Sequence, residues 1–229
     1  MSYNPDDVTT WPAYTPKIIA HDVGRSHDRS TAVVGGHSPC GRELLGIGEV
    51  GELPQGLFGH ARANALAVVD ARHNCNALIV ADLSFDPTYA EVLHETFGPR
   101  VIGVQISRGG DGMTCQWRPV KHGAVPVYPI GRNHLIELFL NQLRSDTVRF
   151  ADGPELRRAY QQLVNLEVEY RDSGMVYSCP PGQHDDLGIS CAMLAWAAGH
   201  RHLTAWLRNL VAAHRPPRKR NTYGWQAFT

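Results

Sequence analysis

Gln183-His184-Asp185-Asp186-Leu187-Gly188-Ile189-Ser190 sets two adjacent carboxylates just ahead of Cys191 to Ala198, a segment that is apolar on almost every face. Leu187, Cys191, Leu194, Ala195 and Ala198 recur at helical spacing, while Ile189, Met193 and Trp196 occupy a neighbouring face. A helix that is apolar around most of its circumference is a buried one. Pro180, Pro181 and Gly182 break the chain before it, and Gly199 stands where it would stop. The stretch therefore predicts a core helix with two acids at its first turn, where the helix dipole favours negative charge. Side-by-side carboxylates at the edge of a core still repel, and a bound cation relieves that repulsion. The plainer reading makes Asp185 a helix cap and Asp186 a first-turn acid; the rest of the chain decides between the two.

Upstream, two more acids end apolar strands. Residues 17–22 form a short β-rich run closed by Asp22, residues 31–34 a second strand and 43–50 a third, a meander interrupted by the turn-rich 24–30 and the loop 35–41. Residues 54–72 keep helical spacing through Leu57, Ala61, Ala65, Val68 and Val69, with Pro54 suited to a first turn. Ala77-Leu-Ile-Val-Ala81 is wholly apolar, as a buried parallel strand is, and it too ends in an acid, Asp82. A helix over 87–97 and a strand over 101–106 complete an α/β order with a mixed sheet. Residues 108–128 read as a β-hairpin excursion. Helices follow at 133–143 and 154–166 around a short strand at 147–150. A hairpin joins 167–171 to 175–178, and a last helix covers 203–213. No internal repeat or linker divides the chain. The organisation is a mobile leader at 1–16, one domain at 17–213 and a basic, disordered tail at 214–229.

Composition narrows the function classes. The 229 residues are 43% hydrophobic and 19% charged, ordinary for one sizeable globular domain. No apolar run reaches the roughly 20 residues of a membrane helix, and the first residues carry no secretory signal pattern. Five cysteines without paired spacing point to reduced thiols in a cytosol-like compartment rather than a disulfide framework or zinc knuckle. The twelve histidines are dispersed, and the nearest to ligand spacing, His37 with Cys40 and His200 with His202, are read as surface residues. With a net charge of zero, any binding of nucleic acid must come from local patches.

Three acidic points thus end or open elements: Asp22, Asp82, and the Asp185-Asp186 pair. Ligands of α/β sheets gather at the carboxyl ends of strands. If the first and fourth strands are parallel neighbours, Asp22 and Asp82 lie side by side there, and the late helix brings its first turn to the same edge. Such carboxylates suit hard divalent cations, and two of them about 3.5–4 Å apart activate water and stabilise a leaving oxygen in phosphodiester hydrolysis. Taken singly, Asp22 and Asp82 read more readily as turn residues, and Asp28 equally as a turn residue or a fourth acid. Asp86 is a fallback for Asp82.

The ordered set of Asp22-Val-Gly24, Asp28, the apolar strand ending at Asp82, Gly131-Arg-Asn-His, and Gly182-Gln-His184-Asp185-Asp186-Leu187 resembles the nuclease domain of phage large terminase subunits over about 17–200. The resemblance implies a ribonuclease H-like α/β fold, a mixed central sheet flanked by helices with an extra β-hairpin. It implies a DNA endonuclease that cuts concatemeric genomes with two Mg2+ or Mn2+ ions. Asp22, Asp82 and Asp186 would be catalytic metal ligands, with Asp185 an additional ligand or helper. Asp28 and His184 would be accessory, His184 being equally readable as a capping or surface residue. Duplex DNA would meet Arg25, Arg29, Arg108, Lys121 and the basic tail, with 108–121 as a mobile loop over the site. Partners would be a packaging ATPase, a portal and a small terminase in the cytoplasm of a bacterial host, with no membrane. No ATP site is present: Gly36 to Gly41 has phosphate-loop glycine spacing, but Arg42 and Glu43 follow where lysine is needed. Three alternatives stay open. They are a Holliday-junction resolvase-like nuclease, an actin-like or sugar-kinase-type phosphotransferase suggested by Asp22-x-Gly24-x-Ser26, and a non-catalytic packaging module.

Overall fold

The computed structural model describes residues 4–11, 13–14, 16–24, 29–38, 44–74, 76–171, 174–203 and 205. Its elements in chain order are β1 (Ile18–Asp22), β2 (Thr31–His37), β3 (Leu45–Glu52), α1 (Gly59–Arg72), β4 (Leu78–Asp82), α2 (Tyr89–Phe97) and β5 (Val101–Ser107). Then come β6 (Gln116–Val120), β7 (Gly123–Gly131), α3 (Arg132–Arg144), β8 (Val148–Phe150), α4 (Pro154–Val164), β9 (Glu167–Arg171), β10 (Gly174–Ser178) and α5 (Asp186–Gly199). Eight strands form one mixed sheet in the order β6-β7-β5-β4-β1-β2-β3-β8, and β9 with β10 forms a separate hairpin. The expected mixed sheet flanked by helices is the one observed.

Alternation along the central strands explains the layers. Ile18, Ala20, Leu78 and Val80 join the core under α5, whereas Ile19, Ile79 and Ala81 join the core under α1 and α2. β1 and β4 read as unbroken apolar runs because both of their faces are covered. The pair is parallel and in register from Ile18 opposite Leu78 to His21 opposite Ala81. One step further, Asp22 and Asp82 fall side by side, on the face that α5 covers.

α5 is the most buried helix: every residue from 187 to 198 is buried. Gly188 makes that possible on the α4 side, since a Cβ there would stand 2.8 Å from Leu163 Cγ. The helix start is held by two polar contacts. Gln162 Oε1 accepts from the Gly188 backbone N–H at 3.1 Å, and the hydroxyls of Thr31 and Ser190 meet at 2.6 Å.

Several expectations change in detail. Gly35 and Gly36, read as a loop, continue β2 through a bulge after Val34; a Cβ on Gly35 would stand 2.1 Å from the Gly46 carbonyl oxygen, so the close strand approach needs glycine. The segment read as a mobile leader contains a 3-10 turn, Val8–Thr10, packed against β3, with Val8 and Trp11 buried. The 108–128 excursion is part of the main sheet, because β7 pairs in parallel with β5 and β6 closes the edge. The stretch read as a loop over the site is fastened to β7: Gly131 N–H donates to Gly110 O at 2.9 Å and Gly112 N–H to Pro129 O at 3.2 Å. His200, read as a surface residue, is buried with its ring edge-on to Tyr128 and Trp196, its Nε2 3.1 Å from Gly112 O. The helix expected over 203–213 and the tail at 214–229 lie almost wholly outside the described residues. Among the described residues no helix is long and apolar enough to cross a membrane.

Gly188→Val should overpack the contact with Leu163 and cost about 1–3 kcal/mol. At about 2–4 °C per kcal/mol for a chain of this size, thermal unfolding followed by circular dichroism should report the loss, and an unchanged midpoint would mean that α4 does not press on α5 as described.

Candidate active site

Three separate elements deliver acids to one cleft. Asp22 ends β1, Asp82 ends β4, and Asp185 and Asp186 open α5; all four line a cavity of about 710 Å³. Ser84, Phe85, Arg108, Arg132, Asn133, Arg171 and Tyr177 complete much of its wall. Thr31 ties two of these elements together. It is the cross-strand partner of Asp22 in the antiparallel β1–β2 pair, and its hydroxyl meets both Ser190 Oγ and, at 3.4 Å, the Asp186 carbonyl. The first turn of α5 is therefore fixed directly across from the end of β1.

Each carboxylate has its own surroundings. Asp82 is buried, and its Oδ1 accepts from the Ser84 N–H at 2.9 Å and from the Ser84 hydroxyl. Ser84 Oγ in turn accepts from the Ile106 N–H at 2.7 Å, so the turn after β4 is pinned to β5. Burial raises the Asp82 pKa, and the Ser84 bonds pull against that rise. Asp22 has no comparable relief. Burial, then Asp82, Asp186 and Asp185 in turn, push its carboxyl well above the ordinary range. Asp185 occupies the cap position of α5 without capping it; its side chain pairs with Arg132 instead. The fallback Asp86 is excluded from the site by its role at α2, where Oδ1 accepts from Thr88 Oγ at 2.6 Å and from the Tyr89 N–H at 3.2 Å.

The other expected residues divide. Arg108 lines the cleft. Arg29 is paired with Glu52, and Lys121 stands at the β6–β7 turn; neither belongs to the cleft wall. Exposed His184 lies 4.0 Å from Asp186 Oδ2 and lines a neighbouring polar pocket with Gln161, Gln162 and Asn165. Asp28 and Arg25 fall outside the described residues. Arg132, Asn133 and Ser84 were not assigned roles from sequence. Gly131-Arg-Asn-His had been noted only as a pattern, and nothing local in it signals an acid 53 positions away.

The donor set fits hard divalent cations: carboxylate oxygens from rigid elements, on a site whose central acid is destabilised by its neighbours. As placed, no three His, Cys, Asp or Glu side chains among the described residues stand close enough together to hold a metal ion. Asp22, Asp82 and Asp186 line the same cleft and are the residues that would have to draw together to hold one, with water or substrate oxygens supplying further ligands, as Mg2+ commonly requires.

No protein-family model matches the sequence, and no curated protein matches it. Solved structures do. The large terminase nuclease of thermophilic phage G20c aligns at a TM-score of 0.53 and 16% identity over 85% of this chain and 84% of that one. The same nuclease with bound magnesium aligns at 0.53 and 17% identity, over 85% and 83%. The chain has the fold of a large terminase nuclease. That likeness is one of fold, in the arrangement of strands and helices. It also bears out the resemblance to large terminase nuclease domains drawn from the sequence.

Asp22 gives a test of the electrostatics without any ligand. Its proton is held more tightly in the folded chain than in the unfolded one, so the native state loses stability as pH rises from about 4 through the raised pKa. Asp22→Asn should raise the melting temperature in EDTA at pH 7 by a few degrees, and the gain should shrink toward pH 4. A gain that is constant with pH would assign the effect to something other than carboxylate repulsion.

Proposed function

We propose that this protein is a metal-dependent endonuclease that hydrolyses phosphodiester bonds of double-stranded DNA by two-metal catalysis, in the manner of a genome-packaging terminase nuclease. The observation that carries the reading is the meeting of Asp22, Asp82 and Asp186, from three separate elements, in one cleft. Its support is the shared fold with a nuclease solved with magnesium.

The residues divide the work by position. Asp22, Asp82 and Asp186 would hold the ions. Two bound divalent ions supply activation of the attacking water and stabilisation of the leaving oxygen. Asp82 is held in orientation by Ser84, and the backbone of Asp186 is held by the Thr31 hydroxyl, which also meets Ser190. Arg108 and Arg171, both on the cleft wall, offer charge to the phosphates flanking the scissile bond. Such contacts position the duplex without reading its sequence. By the same reading the chain works beside a packaging ATPase, a portal and a small terminase in the cytoplasm of a bacterial host.

Incubation with supercoiled plasmid and Mn2+ or Mg2+ should yield nicked and linear products that EDTA suppresses. Asp186→Asn should lower the rate by about 100-fold or more, as should Asp22→Asn. Equal cleavage by wild type and Asp22→Asn would remove the basis of the reading.

A further inference from the structure

The two adjacent acids at the start of α5 are not equivalent, and the difference lies in Arg132. Its Nη2 pairs with Asp185 Oδ2, and its Nη1 donates to the Tyr177 carbonyl on β10. The neighbouring Asn133 grips the same strand. Its side-chain amide donates to the Met175 carbonyl, and its Oδ1 accepts from the Tyr177 N–H at 3.3 Å. The first two residues of α3 thus join three otherwise separate pieces: the β7–α3 corner, the β9–β10 hairpin and the acidic end of α5. The Arg132–Asp185 pair is only partly open to water, with side-chain exposures of 31% and 18%. Solvent screens such a pair less than an exposed one.

We propose that Asp185 is a strut rather than a metal ligand, and that Arg132 is a positioning residue that keeps it so. This rests on the nuclease reading given above. The guanidinium engages the Asp185 carboxylate directly, so that Asp22, Asp82 and Asp186 are the acids left to meet the cations. A divalent ion brought to Asp185 would also sit beside a permanent positive charge, which opposes coordination there. The same bond fixes Met175, Val176 and Tyr177 of β10 as the cleft wall facing the acids.

The test pairs metal affinity with stability, so that neither depends on turnover. Mn2+ binding is measured by titration calorimetry on wild type, Asp185→Asn, Asp186→Asn, Arg132→Ala, Arg132→Lys and the Arg132→Ala/Asp185→Asn double variant; melting is measured on the same set in EDTA. Asp186→Asn should weaken Mn2+ binding by more than about tenfold, and Asp185→Asn by less than about threefold. Arg132→Ala should tighten binding by about threefold or more, because it frees a fourth carboxylate. The double variant should return toward wild type, and Arg132→Lys should fall between. In EDTA both single truncations should lower the melting temperature, with the double variant no worse than the weaker single. Asp185→Asn weakening Mn2+ binding as much as Asp186→Asn would overturn the proposal, as would additive melting losses. Wild type that binds no Mn2+ would instead overturn the nuclease reading, and the melting cycle alone would then decide whether the strut exists.

Discussion

Residues 187–198 of α5 are all removed from water, and a helix buried on every side has few ways to lie on a sheet. It crosses β1 and β2, presses on α4 through the bare surface of Gly188, and shares a hydroxyl contact with Thr31. Once that packing is fixed, the place where the helix can admit polar side chains is fixed as well. Its first turn is the end that reaches the strand termini, so the acids there meet the acids of β1 and β4. The cleft is a consequence of how the core closes, and its carboxylates stand at the ends of buried strands and at the start of a buried helix.

That arrangement has an electrostatic cost that the fold offsets unequally. Asp82 has the Ser84 amide and hydroxyl, Asp185 has Arg132, and Asp22 carries the repulsion of the other three with its burial. The repulsion is concentrated on Asp22, the acid that ends β1. A protein that only needed a stable core would gain from an amide or an alkyl group at that position.

Much of this was legible because it rests on local pattern. Unbroken apolar runs marked β1 and β4 as strands covered on both faces, and the all-round apolar helix after Asp186 announced the deepest element. The parity of Asp22 and Asp82 with Ala20 and Val80 follows from the two-residue repeat alone. What escaped was whatever depends on partners distant in sequence. Arg132 meets Asp185 only because α3 begins at the edge of the same sheet. Trp11 is buried only because β3 passes beneath it, although its surroundings in sequence are polar. Gly35 and Gly36 looked like turn residues, but the close approach of β3 calls for glycine inside a strand. His200 was placed at the surface because the ring cluster with Tyr128 and Trp196 draws on residues from two distant segments.

The parallel register of β1 and β4 has one more consequence, for how this chain can vary. The spacing between Asp22 and Asp82 is that of adjacent strands, about 4.8 Å between backbones, and is set by hydrogen bonding rather than by side-chain choice. It therefore cannot drift by small steps. An inserted or deleted residue within either strand would turn its acid to the opposite face, toward α1 and α2, whereas length changes between Glu52 and α1 or between α2 and β5 would leave the pair untouched. Descendants of this chain are free to lengthen and shorten around the cleft, but the distance across it is inherited in whole units of the sheet.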